Sequence, residues 1–398
     1  MFSTSSWRDG SSRLTHRSLI ATGRATVVRS LALTVITALV GSLLIVGTAP
    51  AQASDRLAIQ PKPAKQANAW LTRQLTSGLV FNDQYSFNDY GLTLDVGFAK
   101  AALGDRTRVA VIRTAMAAHA AGYTTGVESG NTDIYAGPTA KLAVFAQISG
   151  AKAKNYGGVN LIKQLAGRVS ATAPIKGRIQ DQSGWGDYAN TIGQAYTVRA
   201  LNKAGHPKAA PALKFLLKQQ CQAGYFRLDF AANKTSTAQS CDPTAKTTTS
   251  APDTDATALA VISLSALKSP SKKVRTSIAR ATRWLVRHQQ ANGSFGGGIS
   301  TAASNSNSTG VASWALSTVG KCTQARHAAR WLKKLQVRAT TDPFVTGAKG
   351  AIAYDRTALS AAQSAGSLAV DVKDQWRRAS SQAAPALLNL RLGSCTNR

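Results

Sequence analysis

Glutamate is almost missing from this chain. Glu128 is the only one in 398 residues, and all acidic residues together number 18 against 48 Lys and Arg. Acid–base chemistry must therefore rest on Asp or on one of five His. Only one long apolar run occurs, at 31–46, which excludes a multi-span membrane protein. No C-x-x-C pair, thioester Gly-Cys-Gly-Glu-Gln, nucleophile elbow or phosphate-binding glycine loop is present; the glycines at 296–298 follow a helical pattern, not a strand. No apolar tail or sorting-type pentapeptide stands near Arg398, so no covalent attachment to a wall or membrane is expected. With no Asp, Cys and His converging, no metal or other cofactor is expected either.

What is present is a chain able to bury a large core, with 44% hydrophobic residues, and a formal charge of +30. The apolar run follows a stretch containing Arg8, Arg13, Arg17, Arg24 and Arg29 and precedes Ala-Pro-Ala-Gln-Ala at 49–53. Basic, apolar and small-residue regions in that order form a secretory signal. Cleavage is expected after Ala53, which makes the protein secreted; the alternative is a retained N-terminal membrane anchor. Removing 1–53 takes away five Arg and one Asp and leaves the rest strongly basic. Four cysteines in an exported chain read as two disulfides. Of three possible pairings, Cys221–Cys241 and Cys322–Cys395 are the most local, and closing these loops stabilises by ~3 and ~4 kcal/mol.

Internal repeats organise the remainder. Phe215-Leu216 is followed by Gln220, Gly224 and Phe226; Trp284-Leu285 by Gln289, Gly293 and Phe295; Trp331-Leu332 by Gln336. Val274, Ile278, Ala281 and Leu285 share one helix face, with Arg280, Arg283 and Arg287 on another. Each such helix precedes a polar loop and then a small-residue helix: 92–103, 138–147, 191–201, 254–267, 309–316 and 355–365. These second helices are apolar nearly all round and should be buried, with the basic helices outside. The chain thus reads as six hairpins, at about 64–104, 106–150, 155–205, 208–268, 273–320 and 324–366, after a linker at 54–63. A C-terminal stretch, 371–398, should pack across the end or close the ring. Closure removes the exposed ends that an open solenoid must cap. The predicted fold is all-α, an (α/α)6 toroid.

The spacing of Trp284, Leu285, Gln289, Gly293 and Phe295 resembles the repeat of the terpenoid cyclase and protein prenyltransferase α/α toroids, with Phe in place of the final Trp. Trp70, Leu71 and Phe81 form a looser copy, with Gln74 one position early. More narrowly, the chain resembles exported actinobacterial proteins that carry prenyltransferase and squalene-oxidase repeats, chiefly through Ala251–Ala258. The resemblance covers about 64–370 and implies a fold; toroids of this kind serve as cyclases, carbohydrate enzymes, thioester domains and cobalamin carriers.

Asp253-Thr254-Asp255-Ala256 resembles the D-x-D-D acid motif of squalene/hopene-type cyclases, with Ala256 replacing the last Asp. The resemblance implies that Asp255, assisted by Asp253, protonates an alkene, which requires a raised pKa in a dry cavity. The same segment also reads as a helix N-cap, with Asp255 favoured by the helix dipole. Asp95, Thr139, Thr191, Thr309 and Asp355 stand near other inner-helix starts. If these converge at one mouth, Asp95, Thr309 and Asp355, with the aromatic Phe98, Tyr196 and Trp314, would line a ligand cavity. A carbohydrate enzyme would need paired carboxylates, and Asp133, Asp187 and Asp229 lie in suitable loops, though their spacing selects no pair. The preferred expectation is a non-catalytic protein binding a small apolar or amphipathic ligand, because export, Ala256 and the scarcity of inner aromatics argue against cyclisation. A cyclase-like enzyme and a carbohydrate-active α/α barrel are the alternatives. Basic residues concentrated in 272–287 and 326–338 suggest an anionic cell-envelope partner, or only a solvated face; nucleic acid is not expected.

Overall fold

A computed structural model describes residues 60–241, 250–338, 343–391 and 395. The signal segment 1–53, with its cleavage site or anchor, lies outside the described residues. The chain forms helices α1 (Lys62–Arg73), α2 (Tyr90–Ala102), α3 (Arg106–Ala118), α4 (Ala120–Thr124), α5 (Ala136–Ile148), α6 (Leu161–Gly167), α7 (Thr191–Lys203), α8 (Ala209–Lys218), α9 (Thr254–Ser265), α10 (Lys272–His288), α11 (Ser306–Thr318), α12 (Cys322–Lys334), α13 (Arg356–Ala365) and α14 (Val370–Ala383). Helix α1 begins inside the stretch expected as linker. Among the described residues, no helix is long and apolar enough to cross a membrane.

The inner helices are α2, α5, α7, α9, α11 and α14, each packed on the next, with α14 returning to α2. This is a closed ring, with α1, α3, α6, α8, α10 and α12 outside it. Residues 254–264 of α9 are all buried, as their small and apolar side chains require. Outer α10 instead buries Val274, Ala281, Trp284 and Leu285 and turns Arg283 and Arg287 to solvent. A short antiparallel meander, β1 (Leu75–Thr76), β2 (Leu79–Asn82) and β3 (Phe87–Asn88), fills the first hairpin's loop. A 3-10 segment, Ala384–Leu390, packs against both α12 and α1.

The repeat residues work as ties between hairpins. Gln289 Nε2 donates to Gly293 O of its own loop and to Gln324 O of the next outer helix, both at 2.9 Å. Gln220 joins Gly224 O to Ser277 O in the same way. Gln336 joins Gly350 O to Pro63 O at 3.1 and 2.9 Å, which closes the sixth hairpin onto the first. The loop is also held to its inner helix: the Phe226 and Phe295 amides each donate at 2.9 Å to Thr257 and Thr309. Gly350 needs to be glycine twice over. Its φ is +98°, and a Cβ would stand 2.1 Å from Gln66 O of α1. Cys221 pairs with Cys241 and Cys322 with Cys395, the local pairing.

The sixth inner helix differs from expectation. Residues 355–365 form α13, which buries only Leu359 and Ala362 and stands outside the ring. Its place is taken by α14, whose sequence is polar. The reason is charge pairing across the closure. Arg377, 4% exposed, reaches Asp374 at 2.7 Å, Asp83 at 3.0 Å and Phe81 O at 2.8 Å, and Arg378 pairs with Asp89. Ser380 takes the Thr257 role by accepting from the Ile352 amide at 2.8 Å.

Candidate functional site

A cavity of about 780 Å³ opens over the N-terminal ends of α7 and α9. Its walls come from the helix starts and from the polar loops of hairpins three to five. Four carboxylates line it, Asp187, Asp229, Asp253 and Asp255, together with Arg178 and Lys234. Its open edge carries Tyr188, 50% exposed, and Ile299, 64% exposed. The volume suits a small organic ligand.

Asp253 is the N-cap of α9, its Oδ1 accepting from the Ala256 amide at 2.7 Å. Asp255 lies in the first helical turn and is 6% exposed. Ser308 Oγ of α11 donates to its Oδ2 at 3.2 Å, while Oδ1 is buried with no partner. Burial pushes the Asp255 carboxyl up to about 8, and the Asp253 charge adds to the rise more than Ser308 relieves it. Burial also raises Asp253, against the amide hydrogen bonds it receives. The positive end of α9 favours ionisation at this position, but lost hydration outweighs it. Burial and the neighbouring Asp253 carboxylate therefore both favour the protonated acid at Asp255.

Glycine makes room for this pair. A Cβ at Gly298 would lie 2.4 Å from Asp253 Oδ2, and one at Gly297 would lie 3.2 Å from Asp255 Oδ2. In the same cavity Asp187 Oδ2 accepts from Arg178 at 3.1 Å and Lys234 at 2.8 Å. Arg178 also caps the Phe230 ring at 4.9 Å and donates to Ala231 O at 2.8 Å, which fixes it in place.

The structure thus brings together Asp253, Asp255, Asp187 and Asp229, residues that spacing alone could not group. Asp133 goes elsewhere, accepting from Ser183 Oγ at 2.6 Å. The other expected cavity residues do not line this cavity. Asp95 stands past the α2 N-cap, which is Asp89, and pairs with Lys141 at 2.7 Å. Phe98 and Tyr196 stack on each other, with ring centroids 5.9 Å apart. Thr309 is fully buried and holds the Phe295 loop. Trp314 is half-buried on α11. Asp355 caps α13, outside the inner ring, by accepting from the Ala358 amide at 2.8 Å. Sequence reasoning missed Arg178, Lys234, Tyr188, Ser308 and the two glycines. It also missed Asn307, beside Ser308, whose two side-chain polar atoms are buried without partners. Only the polar, glycine-containing loop around Asp187 carried a signal.

No protein-family model and no curated protein matches the chain. Solved structures do match. A protein from Actinoplanes superposes with a TM-score of 0.53 at 16% identity, over 82% of this chain and 98% of that one. The type II terpene cyclase MstE from Scytonema gives 0.54 at 14% identity, over 84% and 98%. A glycosidase gives 0.51 at 12% identity, over 86% and 99%. The fold of this chain is that of a terpenoid cyclase-like α/α toroid.

Proposed function

We propose that the protein is an exported acid-catalysing enzyme of hydroxyl-rich, carbohydrate-like substrates, with Asp255 as proton donor. The observation that carries this reading is the buried Asp255 carboxyl, with an unpartnered Oδ1, in the wall of a polar cavity; its burial favours the protonated acid. Glycoside hydrolysis needs one carboxylic acid to protonate the leaving oxygen and one carboxylate to act as base or nucleophile. Asp187, ion-paired with Arg178 and Lys234, is the carboxylate for the second role. Charged walls and the half-exposed Tyr188 ring suit hydroxyls and sugar faces better than a hydrocarbon chain. Two disulfides fit an oxidising compartment, which supports export.

A second reading, acid-initiated cyclisation of a polyprenyl substrate, is favoured by the same Asp255, which occupies the middle acid of the cyclase-like motif and whose burial favours the protonated form that chemistry requires. One experiment separates the readings. Wild type, Asp255→Asn and Asp187→Asn are incubated with an oligosaccharide panel and with squalene and shorter polyprenyl substrates, and products are followed by mass spectrometry. The proposal expects sugar turnover by wild type and a loss of about 10²–10⁴-fold in each variant. Cyclised polyprenyl product alone moves the assignment to the second reading. Ligand retained unchanged by wild type and variants alike overturns both in favour of binding without chemistry.

A further inference from the structure

Away from the cavity, the charge distribution is one-sided. Residues 256–341 contain thirteen Lys and Arg and no Asp or Glu. Most of these cations stand on two neighbouring outer helices, α10 and α12, tied by the Gln289–Gln324 hydrogen bond. Elsewhere some cations, such as Lys100, Lys141, Arg178 and Arg377, meet carboxylates, but among the described residues no ion pair reaches either helix. The inward faces are committed to the core, through Trp284 and Leu285 on α10 and Ala325 and Leu332 on α12. The outward faces hold Lys273, Arg283, Arg287, Arg330, Lys333 and Lys334, all exposed. Arg283 with Arg287, and Arg330 with Lys334, stand one turn apart, a rise of about 6 Å each. Like charges gathered this way repel, so the patch costs stability unless an anion covers it.

What the patch lacks selects among anions. Among the described residues, none of the exposed large apolar side chains belongs to α10 or α12. A helix that settles on a bilayer needs apolar residues on its outer face, and single-stranded nucleic acid is held by exposed rings on which bases stack. Neither is offered. Arginine forks and lysine point charges suit phosphate. We propose that the joined outer faces of α10 and α12 bind a linear polyanion of closely spaced phosphates, of the polyphosphate kind. No residue of either helix lines the acid cavity, so this surface is independent of the catalytic reading.

The test uses the full chain and long-chain inorganic polyphosphate as probe, with affinity measured across a salt series. Binding should weaken linearly in log K against log salt. The variant Arg283→Gln/Arg287→Gln/Arg330→Gln/Lys334→Gln should lose at least tenfold in affinity, and its salt slope should fall by about 3, since each phosphate contact contributes roughly 0.7–0.9. A control carrying four substitutions elsewhere, Lys62→Gln/Lys152→Gln/Lys154→Gln/Lys203→Gln, should keep most of the binding. All eight positions are exposed, so both variants should fold, and circular dichroism checks that they do. Equal losses in the two variants would overturn the proposal, because net charge alone would then explain binding. Tighter binding to anionic phospholipid vesicles or to single-stranded DNA than to polyphosphate would also overturn it.

Discussion

Replacing Asp255 by Asn exchanges a carboxyl for an amide of nearly the same shape and removes the proton. In the folded protein the carboxyl keeps its proton because hydration is lost and Asp253 is close. In the unfolded chain it ionises near its ordinary value of 3.8. The sign follows directly: the folded state binds more protons than the unfolded one, so wild-type stability falls as pH rises above that value and until Asp255 itself ionises. The slope for one such group is about 1.4 kcal/mol per pH unit. Between pH 4 and pH 7 this amounts to about 3–4 kcal/mol as an upper bound, which Asp255→Asn should not lose. The two proteins should unfold alike near pH 4, and the variant should be the more stable at pH 7 by roughly 6–8 °C in Tm, taking about 2 °C per kcal/mol. Urea unfolding at half-unit pH steps from 4 to 8, on both proteins, measures the difference. A difference that stays flat across that range would refute the reasoning, since it would mean that Asp255 ionises alike folded and unfolded. The same mutation should cut turnover by about 10²–10⁴-fold while stabilising the fold, a combination that a purely structural cap would not produce.

Two further outcomes test the closure of the ring. Gln336→Ala removes the bonds to Gly350 O and Pro63 O; it should cost about 1–3 kcal/mol and speed amide exchange in α1 before the other outer helices, read by hydrogen exchange. Arg377→Met takes the buried cation from Asp374 and from Asp83, which is 37% exposed and keeps Lys373; it should cost about 1–3 kcal/mol by thermal unfolding, and Asp374→Asn in the same chain should recover part of the loss.

The sequence by itself determined the alternation of outer and inner helices, because that alternation is a matter of local composition. Amphipathic, basic stretches such as 272–288 can bury only one face, and Ala-rich stretches such as 254–265 can be covered on all sides. It also determined the tying glutamines and glycines, since their spacing repeats with the hairpins. The polar α14 and the Ala-rich α13 exchanged places because burial of α14 depends on partners remote in sequence. Asp83 and Asp89 neutralise Arg377 and Arg378 only after some 290 residues have closed on themselves. The acid site has the same origin. That Asp253 and Asp255 stand together at a helix start was legible in four consecutive letters. That burial favours the protonated form of Asp255 was not, because burial depends on what stands beside it: the Gly297–Gly298 backbone and Ser308, next to a cavity shared with Asp187 and Asp229. The two glycines and Ser308 belong to the fifth hairpin, Asp229 to the fourth and Asp187 to the third, and only the packing of these three on one another brings them within reach.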